Sequence, residues 1–150
     1  MMVVYMALAA GIFLLDLGLK NYIEKQKETG IEQTIGKGAL LIRKYHNRGA
    51  FLNAGEKVSP LVSIFSLILT IGVAAVFLFS PRENGRRLLG LSLLLGGALS
   101  NTYDRLRRGY VVDYFSFGVR WKWLRRIVFN VSDFCILVGA LLAVWEGERR

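Results

Sequence analysis

The chain has 150 residues, of which 53% are hydrophobic, and it carries a net charge of +9. A mean hydropathy of +0.39 is too apolar for an ordinary soluble domain, and the length fits a single domain. So basic a balance would point to nucleic acid in a soluble protein; here it points to anionic lipid headgroups. The one cysteine, Cys135, rules out an internal disulfide, and the one histidine, His46, lacks the companions a zinc site needs.

Residues 1–15 are uncharged, and the apolar run reaches Lys20 with only Asp16 interrupting. The run lacks a basic leader and a small-x-small cleavage site, so it reads as a retained helix and not a removed signal peptide. Asp16 and Lys20 share a helix face, acid before base, the favourable order; they read as an architectural pair bracing the first loop. Residues 21–57 are mostly polar. After a fraying helix end at Glu24–Glu32, Gly36, Gly38, Gly49 and Gly55 punctuate apolar runs such as Ala39-Leu40-Leu41-Ile42. That texture predicts short strands and turns, a small sheet resting on the membrane. Asn47 and Gly49 mark a turn where an amide could meet substrate.

Pro60 suits the first turn of a second helix. Residues 58–81 are uncharged and long enough to cross a bilayer, which takes about 20 apolar residues. Residues 80–87 form a tight connection. In the third apolar run, residues 88–103, Ser92, Gly96 and Ser100 repeat a small residue every fourth position, a stripe that lets helix backbones approach closely in lipid. Asn101, Asp104 and Arg105 fall on one face at its end. From Arg107 to Arg126 the chain leaves the membrane, with Trp121, Trp123, Lys122, Arg125 and Arg126 suited to the headgroup zone. The last run, residues 127–145, contains only Asp133 as a charge. Spans are therefore predicted at about residues 2–22, 59–79, 87–104 and 128–146, with both termini on one side. The two long connections hold fourteen Lys and Arg, against five in the short connection and tail. Taken literally, the positive-inside rule puts the long connections in the cytoplasm.

Asp113 lies in Tyr110-Val111-Val112-Asp113-Tyr114-Phe115 and Asp133 in Phe129-Asn130-Val131-Ser132-Asp133. A carboxylate at membrane depth costs roughly 2.5 kcal/mol or more. Taken singly, Asp133 reads as an acid in a first helical turn, favoured by the helix dipole, and Asp113 as a partner for an arginine. Together they suggest a pair sharing one proton: the ionised acid takes a proton from water while the protonated one polarises a carbonyl. Asn130 can cap the last helix or bind substrate backbone. Arg105 can hold a carboxylate or a substrate carbonyl, or pair with Asp104 or a lipid phosphate. Serine–lysine, cysteine and zinc hydrolases each lack a required part, and no phosphate-binding glycine loop is present.

These residues fall into blocks that resemble lipoprotein signal peptidase (signal peptidase II) of bacteria. The blocks are Asp16-x-x-x-Lys20, Asn47-Arg48-Gly49-Ala50-Phe51, Gly96-Gly97-Ala98-Leu99-Ser100-Asn101-Thr102-Tyr103-Asp104-Arg105-Leu106, Gly109-Tyr110-Val111-Val112-Asp113-Tyr114-Phe115 and Phe129-Asn130-Val131-Ser132-Asp133. The resemblance implies an all-α integral membrane protein, residues 1–150 as one peptidase domain. It would have four transmembrane helices and a small extracytoplasmic β-sheet cradle, built largely from the first long connection. Long connections would lie outside and termini inside the bacterial cytoplasmic (inner) membrane, against the charge count. The implied activity is an aspartyl endopeptidase without metal or cofactor, cutting diacylglyceryl-modified prolipoproteins just before the lipobox cysteine. Asp113 and Asp133 would be catalytic. Asn47, Gly49, Asn101, Arg105 and Asn130 would bind or support, and Asp16, Lys20 and Asp104 would be structural. The same resemblance implies membrane lipids as partners, globomycin-type inhibitors, a monomer and no nucleic acid. The chain departs from the family pattern in an Asn47 block one residue short, in Ser100 where glycine is usual and in Ser132 where alanine is usual. The other reading is a non-catalytic four-helix lipid-binding or transporter-accessory protein, with its acids in ion pairs to Arg105 and Lys20; an intramembrane proton relay is a third.

Overall fold

The computed structural model describes residues 2–49 and 59–145. Ala50, Phe51, Gly55 and the end of the predicted fourth span, residue 146, lie outside them. The elements are α1 (Met2–Gln26), β1 (Gln33–Ile35), β2 (Leu40–Asn47), α2 (Ser59–Phe79), α3 (Gly85–Arg108), β3 (Val111–Phe117), α4 (Lys122–Arg126) and α5 (Val131–Val144).

Among the described residues, two helices are long and apolar enough to cross a membrane, Met2–Gln26 and Pro60–Phe79, while Val131–Val144 is apolar but shorter. Their outward faces are greasy: Val3, Leu14, Phe65 and Ile68 are all exposed. Helix α3 has the length, but its C-terminal third is polar, ending in Asp104, Arg105, Arg107 and Arg108. This helix is the hub, packing against α1, α2 and α5. The stripe of small residues explains part of that. A Cβ added at Gly96 would come within 2.7 Å of the Ala9 carbonyl on α1, and Ser100 reaches Asp16 on the same helix. A second set faces α5: a Cβ at Gly90 would lie 2.5 Å from the Ala143 nitrogen, and one at Gly97 2.6 Å from the Ser132 carbonyl. Backbones this close gain the dispersion contacts that drive helix association in lipid. Thr70 and Thr102 hydroxyls, 2.8 Å apart, tie α2 to α3. The apolar core at this level is Ala9, Phe77, Leu88, Leu91 and Leu95.

Gly109 ends α3. It takes φ 79°, and its N–H reaches the Arg105 carbonyl, the left-handed C-cap that glycine adopts without steric cost. The chain then reverses into β3.

The three strands form one antiparallel sheet in the order β1-β2-β3. Two come from the first long connection, as expected; the third, Val111–Phe117, comes from the second and carries Asp113. Leu40 pairs with Phe117 and Asn47 with Val111, with an irregularity between Ile42 and Tyr45. Phe129 adds a bridge to Phe115, so the chain just before α5 is stitched to the sheet. Helix α5 then starts at Val131. Phe115, Phe117, Phe129 and Phe134 cluster at this junction.

Candidate active site

The capping chemistry of α5 positions the first acid. The Asn130 side chain accepts from the Asp133 N–H at 3.0 Å, and the Asp133 carboxylate accepts from the Asn130 N–H at 3.0 Å, a reciprocal capping box. The second acid is held by strand geometry. Asp113 sits in β3 opposite Tyr45, almost wholly buried, and takes 2.7 Å and 3.1 Å hydrogen bonds from the amides of Asn130 and Asn47. Asn130 therefore touches both carboxylates. Asp133 is the more accessible of the two, and its other oxygen accepts from Asn101 Nδ2 at 3.1 Å.

A buried cation sets the orientation of these amides. Lys20 Nζ, which can only donate, lies 2.8 Å from Asn101 Oδ1. The Asn101 oxygen therefore faces Lys20, its NH2 faces Asp133, and the same oxygen accepts a 3.3 Å bond from Asn130 Nδ2. Lys20 is fully buried and also reaches Ser100 Oγ at 2.9 Å, Asp16 at 2.9 Å and Asp104 at 3.4 Å. Asp104 in turn pairs with Arg108 at 2.9 Å and accepts the Val112 N–H at 3.1 Å, anchoring the start of β3.

Asp16 and Lys20 thus do not brace the first loop. They form the centre of a polar knot joining α1, α3, β3 and α5. Asp16 takes Lys20, Ser100 at 2.7 Å and Ser132 at 2.5 Å on one oxygen, and the Tyr114 hydroxyl at 2.7 Å on the other. Two of the expected departures from the family pattern, Ser100 and Ser132, both donate to this one carboxylate. Tyr114 accepts the Val131 N–H at 3.0 Å, an otherwise orphaned donor at the start of α5. It therefore ties the strand of one acid to the helix of the other. Tyr114→Phe is expected to leave Asp16 Oδ1 and the Val131 N–H each short of a partner. That should cost about 1–3 kcal/mol and lower the thermal midpoint in detergent; an unchanged midpoint would show the hydroxyl to be idle.

Arg105 does not pair with Asp104. Its Nη2 donates to the Gly49 carbonyl at 3.3 Å, and it lies within electrostatic reach of Asp113, Asp133 and, more weakly, Asp104. Its buried Nε has no hydrogen-bond partner among the described residues. Gly49 is turned toward the site by its own N–H, which donates to Asn47 Oδ1 at 3.1 Å.

Burial first, then the Asp133 carboxylate, pushes the Asp113 carboxyl up from its ordinary 3.8 to about 8. Asn47, Lys20 and Asn130 all act in the opposite direction.

One cluster was not visible in the sequence. Glu24 near the end of α1 takes His46 Nε2 at 3.0 Å and the Tyr110 hydroxyl at 2.9 Å, with the two rings stacked at 4.0 Å. It fastens α1 to β2 and to the entry of β3.

The family model described as "Signal peptidase (SPase) II" matches residues 8–147. The chain belongs to the signal peptidase II family. Among its relatives, the lipoprotein signal peptidase of Lactobacillus gasseri is 33% identical over 93% of this chain and 88% of the relative. That of Lactobacillus johnsonii is 34% identical over 92% and 87%. A solved structure, described as a bacterial membrane enzyme, superposes with a TM-score of 0.82 at 22% identity, over 98% of this chain and 94% of the other. At that identity the likeness concerns the fold alone. As a signal peptidase II, the chain is a peptidase of a bacterial membrane family.

Proposed function

We propose that this signal peptidase is of the aspartic type, with Asp113 and Asp133 as its catalytic pair, and that it removes signal peptides from diacylglyceryl-modified prolipoproteins just before the lipobox cysteine. One contrast carries the reading. Among the described residues, the acids of the knot are matched to cations: Asp16 to Lys20, and Asp104 to Lys20 and Arg108. Asp113 and Asp133 are matched to neutral carboxamides from Asn47, Asn101 and Asn130. Amides hold a carboxylate in place without neutralising it. Two such acids on one asparagine favour sharing a single proton. The same contrast speaks against the accessory-protein reading, in which these two acids would sit in ion pairs.

The chemistry then follows. The ionised acid takes a proton from a water molecule, whose oxygen adds to the scissile carbonyl. The protonated acid donates to the carbonyl oxygen. Collapse breaks the C–N bond, and a proton passes to the leaving amine. Arg105, through its bond to the Gly49 carbonyl, holds the turn that with Asn47 forms the facing wall. In the proposed topology all four long helices span the inner membrane, with α3 and α5 completed by polar ends at the interface. The termini lie inside; the sheet and the acids lie at the extracytoplasmic surface. The substrate's acyl chains stay in the bilayer while its extended backbone enters beside β3.

Purified protein should cleave a diacylated lipobox peptide in detergent and leave the unlipidated peptide intact; failure on the lipidated peptide would remove the assignment. In the same assay the rate should fall as pH rises through about 8, where Asp113 loses the proton that burial preserves. Asn47 donates to the charged form, so Asn47→Ala should move that limb to higher pH, and a downward move would contradict it. Stability is linked with the same sign. Between the ordinary 3.8 and about 8, native Asp113 keeps a proton that the unfolded chain has released. Stability should therefore decline across that window and level off above it.

A further inference from the structure

Between β3 and α5 runs a segment, residues 118–126, all of which but Leu124 are exposed. The segment carries Arg120, Lys122, Arg125 and Arg126, and from Asp113 to Asp133 the chain has no other acid. None of these four cations belongs to an ion pair among the described residues. Trp121 and Trp123 are 67% and 63% exposed. With Arg120, Lys122 and Arg126 they line an open groove of about 790 Å³. None of the residues that hold the two acids lines it.

Its position in the fold defines its surroundings. Helix α4 packs on β3, and its last turn is closed by the Ile127 N–H on the Leu124 carbonyl. The four residues 127–130 then lead into α5, a reach of at most about 14 Å. The groove therefore lies at the end of the helix bundle that carries the acids, at the level where an apolar helix enters lipid. Indole rings favour that level. Each basic side chain near an anionic membrane surface is worth about 1 kcal/mol, and the guanidinium fork suits phosphate oxygens.

We propose that this groove is a binding site for the phosphate headgroup of an anionic phospholipid, with Arg120, Lys122 and Arg126 as its ligands and Trp121 and Trp123 as its interfacial walls. The site is distinct from that of the substrate, whose diacylglyceryl group carries no phosphate. It rests on the bilayer placement proposed above and not on the peptidase chemistry, so its test involves no cleavage.

The third tryptophan, Trp145, is exposed at the far end of α5, so Trp145→Phe leaves only the groove indoles as reporters. This variant is reconstituted in phosphatidylcholine vesicles containing a minor fraction of phosphatidylglycerol, with bromine on the acyl chains of one lipid or the other at equal mole fraction. Brominated phosphatidylglycerol should quench about twofold or more beyond brominated phosphatidylcholine, and high salt should shrink the difference. Arg120→Gln/Lys122→Gln/Arg126→Gln in the same background should quench equally with both. Equal quenching before those changes, or a preference that survives them, would overturn the site. Should the triple variant fail to fold, the comparison of the two lipids with the Trp145→Phe protein decides alone.

Discussion

Asp113→Asn and Asp133→Asn are each expected to reduce cleavage of a diacylated lipobox peptide by about 10³-fold or more, the combined scale of lost general-base and general-acid catalysis. Either change removes one of the two acids, and with it either the base that takes the proton from water or the acid that donates to the carbonyl. The fold should survive. Each new amide fits the old volume, and although one of its two positions meets an N–H donor it can no longer accept, the change also removes a buried charge. Those effects are of the same order, about 1–3 kcal/mol, and oppose each other. Folding is checked by the thermal midpoint in detergent and activity by product release. A variant that processes at the native rate would refute the pair.

Lys20→Met is expected to be the most damaging single change to stability. It strips the cation from Asp16, fully buried and fed by four donors. Leaving a buried charge without its partner costs about 3–5 kcal/mol. Asp104 is better protected, because Arg108 remains. The double variant Asp16→Leu/Lys20→Met should therefore be more stable than Lys20→Met alone, and the difference is read from thermal midpoints measured side by side. A double variant worse than the single one would mean that Asp16 matters through its hydroxyl donors and not through its charge. Lys20→Met also frees Asn101 to turn over, so cleavage should fall even in molecules that remain folded.

The helices were legible because apolar runs and a proline start leave few alternatives. The ends were not. Asn130 looked like a cap, but the Phe129–Phe115 bridge that precedes α5 joins chain segments with no shared local signal. Strand β3 was hidden for a different reason. Its first four residues are all buried, so it has none of the in–out alternation that marks a half-exposed strand. Asp113 was found instead as an acid in improbable company. The amides that hold the two acids were visible as Asn47, Asn101 and Asn130, whereas the assignment of Asp16 and Lys20 to the first loop was a local inference from their spacing. Ser100, Tyr114 and Ser132 meet Asp16 across 84, 98 and 116 residues, and only the packed bundle reveals that they converge.

For the proposed pair, Asn130 fixes when the chemistry becomes available. One side chain and its own N–H reach both carboxyl groups, so their spacing is settled as the protein folds and does not wait for an incoming peptide. With the pair and substrate proposed above, turnover is expected to be governed by arrival: a lipid-tethered chain would drift through the bilayer to the mouth of the site and thread its backbone past the Gly49 turn. An enzyme so arranged is tuned by the fluidity of its membrane more than by any motion of its own reactive centre.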